Sequence, residues 1–201
     1  MLPTEILSHE HRVIEQVLAC LEKLTEQSQS TGRLDKQSAQ DAIAFLRVFA
    51  DQCHHGKEEV HLFPAMEAKG FPRQGGPTGV MLAEHDEGRA HVRAMAESLE
   101  AAASGDRAAL QQFAEHAAGY VALLQQHIQK EDNILYVMAN RVFSEEDQRR
   151  LLDAFGRVEA EEMGAGTHEA YLRLANELAD RLGVPRAAAE AAAHHTCGRR
   201  H

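Results

Sequence analysis

Tryptophan is absent from this chain of 201 residues, and aromatic residues make up only 5% of it. Three cysteines (Cys20, Cys53 and Cys197) without regular spacing are too few for a disulfide framework and point to a reducing cytoplasm. Five prolines leave long stretches open to helix. Cations are in deficit: 21 Lys and Arg stand against 31 Asp and Glu, a formal charge of −10. That balance argues against a nucleic-acid partner and against an anionic membrane surface. No apolar run approaches the roughly 18 residues of a membrane span. Met1-Leu2-Pro3-Thr4-Glu5 also lacks the basic and apolar stretches of a signal peptide. Two things are abundant. Hydrophobic residues reach 44%, enough for a packed core, and there are 13 histidines.

Apolar residues recur at helical spacing throughout, and no alternating run suggests a strand. The pattern predicts an all-α fold. Its first helix spans about Thr4 to Gln27, with Thr4 as N-cap and Ser28 to Gly32 as a polar linker. The second runs from Asp35 to Lys69, with Pro64 expected to end or kink it and Gly70 beyond it. Phe71 to Thr78 reads as a loop, and a third helix follows from Gly79 to Ala103. After a turn at Ser104-Gly105-Asp106, a fourth runs from Arg107 to Val142. Ser144 and Asp147 form a capping box for a further segment, and another helix spans Thr167 to Leu182. Four long helices with short connections imply an up-down-up-down four-helix bundle.

Residues three, four and seven apart share a helix face. By that rule His11 lies on the stripe of Leu7, Ile14, Leu18 and Leu21. His54, Glu58 and His61 share a face with Ile43 and Ala50. His55 with Glu59 is the competing pair, rotated by about 100°. Spacing allows either register, and continuity of the stripe favours His54. His85 lies with Met81, Val92 and Met95, and Gly88 one turn on leaves space in the core. His127 and Glu131 interrupt the stripe of Phe113, Ala117, Tyr120, Leu124, Ile134 and Met138.

The inward set is therefore His11, His54, Glu58, His61, His85, His127 and Glu131. Two carboxylates in an apolar core are costly unless paired or bound to metal. No lysine is expected inward; Arg47 and Arg89 are the only plausible inward cations. Two His-x3-Glu helices facing each other account for the set as a dinuclear metal site, with Glu58 and Glu131 at the axis. Nitrogen and oxygen donors suit iron or manganese, and also zinc. If each ion is six-coordinate and an oxide or hydroxide also bridges, one position stays open for a small ligand. His116 and Tyr120 read as structural and Cys53 as a small buried hydrophobe. His194, His195, Cys197 and His201 read as part of a loose tail.

Several motifs resemble the hemerythrin-like, or HHE cation-binding, family. They are Glu10-His11, then His54-His55-Gly56-Lys57-Glu58-Glu59 followed by Leu62-Phe63-Pro64, then Glu84-His85-Asp86-Glu87, and finally His127 to Leu135. The resemblance covers about residues 4 to 142. It implies a four-helix bundle with a non-haem di-iron centre bridged by Glu58 and Glu131, and it favours His54 over His55. Two departures stand out. Oxygen-carrying members have a histidine where this chain has Arg89. They also end the fourth-helix motif with Asp at i+5, whereas here Glu131 lies at i+4, with Asp132 beside it. His61 is the candidate to replace the missing ligand.

The resemblance thus implies a cytoplasmic di-iron protein binding a small diatomic ligand, O2 or NO, or a divergent bacterial member. The latter would be a redox enzyme acting on NO or peroxide, or an iron donor in iron–sulfur repair. A metal-stabilised binding module is the third alternative. Residues 1–142 would form the bundle, 143–185 a helical extension packed on it, and 186–201 a flexible tail.

Overall fold

The computed structural model describes residues 1–162, 164 and 166–187, and these residues form six helices and no strand. Helix α1 spans Pro3–Thr31. Helix α2 covers residues 36–68, α3 spans Pro77–Ala103, and α4 covers residues 107–142. Helix α5 covers residues 145–162 and α6 spans Thr167–Leu182. The expected tail residues His194, His195, Cys197 and His201 lie outside the described residues.

Local signals explain most of the boundaries. Asp35 accepts the backbone N–H of Ser38 at 2.8 Å, and Asp106 accepts that of Ala109 at 2.9 Å, each satisfying an otherwise orphaned donor. Ser144 and Asp147 form the expected capping box. The first helix departs from expectation at both ends. It starts at Pro3, with Glu5 accepting the Leu2 N–H at 2.6 Å, and Thr4 instead donates its hydroxyl to Asn140. It continues through the supposed linker, because the hydroxyls of Ser28, Ser30 and Thr31 fold back onto carbonyls of the preceding turn. It stops at Gly32, whose φ of 73° favours a residue without Cβ.

The main surprise is local winding. Residues Leu46–His55 and Glu58–Leu62 of α2, Glu131–Leu135 of α4 and Val158–Glu162 of α5 form wide π-helical turns closed by i→i+5 hydrogen bonds. Helix α2 passes through Pro64 without ending. The wide turn closes at Leu62, so Pro64 falls in the first turn of the following α segment, where its missing N–H is tolerated.

Two apolar clusters hold the helices together. The larger contains Ile14, Leu18 and Leu21 of α1, Phe45 and Phe49 of α2, Val92 and Met95 of α3, and Phe113 and Leu124 of α4. The smaller contains Leu7, Leu62, Phe63, Met81, Leu135 and Tyr136. The last two helices join both: Leu151 and Phe155 of α5 enter the smaller cluster, and Ala175, Leu178, Ala179 and Leu182 of α6 enter the larger. Along each of α1 to α4 the chain crosses from one cluster to the other: Leu7 to Ile14, Leu62 to Ala50, Met81 to Val92, Leu135 to Leu124. The residues at the crossing are polar.

Candidate metal centre

That crossing layer contains His11, His54, His55, Glu58, His85, His127 and Glu131, all at most 4% exposed. Their potential donor atoms fall into two groups. In one are His55, Glu58, His85 and His127; in the other, His11, His54 and Glu131; within each group the atoms lie within 4.8 Å of one another. The carboxylates link the groups. Glu58 Oε2 is 3.5 Å from His85 Nε2 and 3.8 Å from His54 Nε2. Glu131 stands 3.2 Å from both His127 Nε2 and His11 Nε2, one through each oxygen. Glu58 Oε2 and both oxygens of Glu131 make no hydrogen bond among the described residues, despite full burial.

Four of the imidazoles are turned the same way. His11 Nδ1 is 2.9 Å from Asp132, His54 Nδ1 2.9 Å from Glu10, His85 Nδ1 2.6 Å from Glu59, and His127 Nδ1 2.8 Å from Glu84. His55 differs: its Nδ1 lies 3.4 Å from Asp51 but makes no hydrogen bond among the described residues. A carboxylate at Nδ1 fixes the ring and leaves Nε2 as an unprotonated donor facing the centre. The supporting residues adjoin ligand candidates in sequence but serve a different helix. Glu10, beside His11, holds His54; Glu84, beside His85, holds His127; Asp132, beside Glu131, holds His11; and Glu59, beside Glu58, holds His85.

Cations complete the outer ring. Arg89 donates to Asp51 at 2.9 Å and to Glu59 at 2.7 Å. Lys130 pairs with Glu84, and Arg12 with Asp132. Lys57, fully buried, lies 2.5 Å from both Glu10 and Glu159. This corrects the expectation that no lysine points inward. Burial opposes its charge, but Glu10 and Glu159 reverse that and raise its pKa. His168 Nε2 is 3.5 Å from Glu10, so α5 and α6 both reach the support of His54.

The metal-free electrostatics are strained. Burial, then the charge of Glu131, pushes the Glu58 carboxyl well above its usual range. Burial also disfavours the Glu131 anion, but His127 and His11 more than offset this and hold its pKa low. Burial lowers His54 to about 4. Against burial, the carboxylates of Asp132 and Glu131 beside the ring raise His11 to about 9. Tyr136 donates its hydroxyl to Glu58 Oε1 at 2.7 Å, which secures one oxygen and leaves Oε2 without a partner.

Six of the seven expected residues meet in this layer, and His61 does not. Its ring centroid lies 6.5 Å from that of Phe155, and it belongs to neither donor group. His55, which was expected to turn away, takes a place in the layer and stacks on His85 at 3.7 Å between centroids. Winding explains both. Turns closed by i→i+5 bonds rotate each residue by less than the roughly 100° of an α-helix. Face-sharing rules built on 3.6 residues per turn therefore misplace side chains here. Sequence reasoning also missed Tyr136 and the ring of supporting carboxylates, although an acidic neighbour beside each of four candidate ligands was visible in the motifs.

Seven inward residues, whose two carboxylates leave three oxygens without hydrogen bonds, fit a pair of cations better than any arrangement of the protein's own groups. The family model for the hemerythrin HHE cation binding domain matches residues 2–139. Uncharacterized proteins of Mycobacterium tuberculosis (strain H37Rv) and Mycobacterium bovis are each 22% identical over 180 residues, covering 90% of this chain and 70% of the relative. No solved structure matches.

Proposed function

Because the chain belongs to the hemerythrin HHE cation-binding family, we propose that it is a cytoplasmic di-iron protein that binds O2 or NO at a metal pair. Helices α1 to α4 then form an up-down-up-down four-helix bundle over residues 1–142, with residues 143–185 packed on it. The observation that carries the reading is the common orientation of four imidazoles, those of His11, His54, His85 and His127. Each has a carboxylate hydrogen-bonded at Nδ1 and turns Nε2 toward Glu58 or Glu131.

His55, His85 and His127 would hold one ion, His11 and His54 the other, and Glu58 and Glu131 would bridge them. His55 would take the place that Arg89 leaves without a ligand, and Arg89 would serve the site by orienting Asp51 and Glu59. Metal ions held there would supply the affinity for a small ligand such as O2 or NO. Nitrogen and oxygen donors without thiolate suit iron, and also manganese or zinc. The protein itself supplies a dry site and fixed donors. Tyr136 keeps a hydrogen bond on Glu58, and the carboxylates Glu10, Glu59, Glu84 and Asp132 hold those four rings in one tautomer.

Elemental analysis of protein from iron-replete cells should give two iron ions per chain. Mixing the reduced protein with O2 or NO in a stopped-flow instrument should give a stable adduct band. Immediate irreversible oxidation would exclude a carrier. A second reading, a redox enzyme acting on NO or peroxide, is favoured by Tyr136, a buried phenol in contact with the bridging carboxylate. Turnover by the reduced protein that is lost in Glu131→Ala would support it.

A further inference from the structure

Beside the metal layer lies a cavity of about 160 Å³ between α2, α3 and α4. Its buried wall carries His55 and Tyr120, and its outer wall carries Arg47, Arg89 and Arg93. That volume holds about five water molecules, so the occupant is small. Gly88 keeps the space open: a Cβ there would come within 3.3 Å of the Tyr120 ring.

The charge at this place is opposite to that of the whole chain. Asp51 also lines the cavity, but Arg89 pairs with it at 2.7 Å. Arg47 and Arg93 have no ion-pair partner among the described residues, so the cavity lining itself carries three guanidiniums against the one carboxylate of Asp51 on a protein of formal charge −10, while Glu59 and Asp86 outside the lining pair with Arg89. Local potential of this kind concentrates anions. The guanidinium fork also matches two oxygens at once.

The Tyr120 side chain supplies an independent sign. It is 2% exposed and lines the cavity, yet its hydroxyl makes no hydrogen bond to any described residue. The hydroxyl is thus open to the cavity, where an acceptor would take its hydrogen bond. Burial, with the charge of Asp51 nearby, raises the phenol pKa, so the group remains a donor.

We infer that this cavity is a binding site for a small two-oxygen monoanion, held by Arg47 and Arg93 at the mouth and by the Tyr120 hydroxyl inside. Nitrite and short carboxylates share this chemistry. The inference rests on the metal reading only for what lies beyond His55; the anion site itself is built from residues that bind no metal.

The test is calorimetric titration of the full-length protein as purified, with metal content measured on the same sample, against sodium nitrite and separately sodium acetate at constant chloride. Arg47→Met, Arg93→Met and Tyr120→Phe are compared with the remote surface variant Arg150→Met. Each of the three cavity variants should bind about tenfold more weakly, the scale of one lost charged hydrogen bond, while Arg150→Met binds as wild type. Preference for nitrite marks an inorganic ligand and preference for acetate a carboxylate; either supports the site. Absence of binding overturns it, as does equal affinity in wild type and cavity variants, which would place the anion on the metals. A sample with two ions per chain and no anion binding sinks this inference alone. One with little metal but variant-sensitive anion binding supports it and sinks the metal reading alone.

Discussion

Two adjacent histidines in α2 carry the sharpest test of the site. His55 belongs to the group formed with Glu58, His85 and His127, while His61 lies against Phe155. His55→Ala should therefore lower the metal-to-chain ratio, measured by plasma emission, whereas His61→Ala should leave it unchanged. Loss of metal in the His61 variant alone would restore the register expected from the sequence. Glu59 supports His85 through Nδ1 and is itself held by Arg89. Glu59→Gln should weaken metal affinity by about 10–100-fold, the usual cost of removing such a partner, read by competition with a chromophoric chelator. The histidine count announced these residues, but their roles did not follow from it. His61 fits an ideal α-helical stripe as well as Glu58 does, and only the wide turn at Glu58–Leu62 separates them.

At the scale of elements, α5 and α6 do more than cover the rest of the chain. Glu159 of α5 and His168 of α6 converge on Glu10 and Lys57, the pair that fixes His54. Lys57→Met leaves two carboxylates facing each other in a buried place. Removing one partner of a buried ion pair costs about 3–5 kcal/mol, so urea unfolding should show a loss of that order. Recovery of most of it in Lys57→Met combined with Glu159→Met would show that the cost is uncompensated charge rather than lost packing. Gln16 reinforces the docking by donating to the Ala175 carbonyl at 2.9 Å. The start of α5 was readable from Ser144 and Asp147, since capping is a local matter. The partners of α5 and α6 were not, because Glu10 and Glu159 are far apart in the chain and meet only in the folded packing.

For the whole molecule, a polar layer between two apolar clusters has a thermodynamic consequence. Without metal, two carboxylates and five imidazoles are buried with poor mutual satisfaction, so binding free energy becomes folding free energy. Stripping metal with a chelator should lower the thermal midpoint clearly, and restoring ferrous iron should return it. A midpoint that does not respond to chelation of a metal-containing sample would mean that the layer is stable without ions. No helix among the described residues is long and apolar enough to cross a membrane.

The amino-acid order alone determined the helical class, most helix ends and the gathering of histidines and glutamates on inward faces. Each of these depends on periodicity and capping within a few residues. The tertiary structure decided which imidazole of the His54-His55 pair faces which carboxylate; both face the layer. It also decided that acidic neighbours brace rings on other helices and that Lys57 is buried against α5. Those outcomes depend on π-helical winding and on contacts between distant segments, which a single-strand pattern of 3.6 residues per turn does not encode.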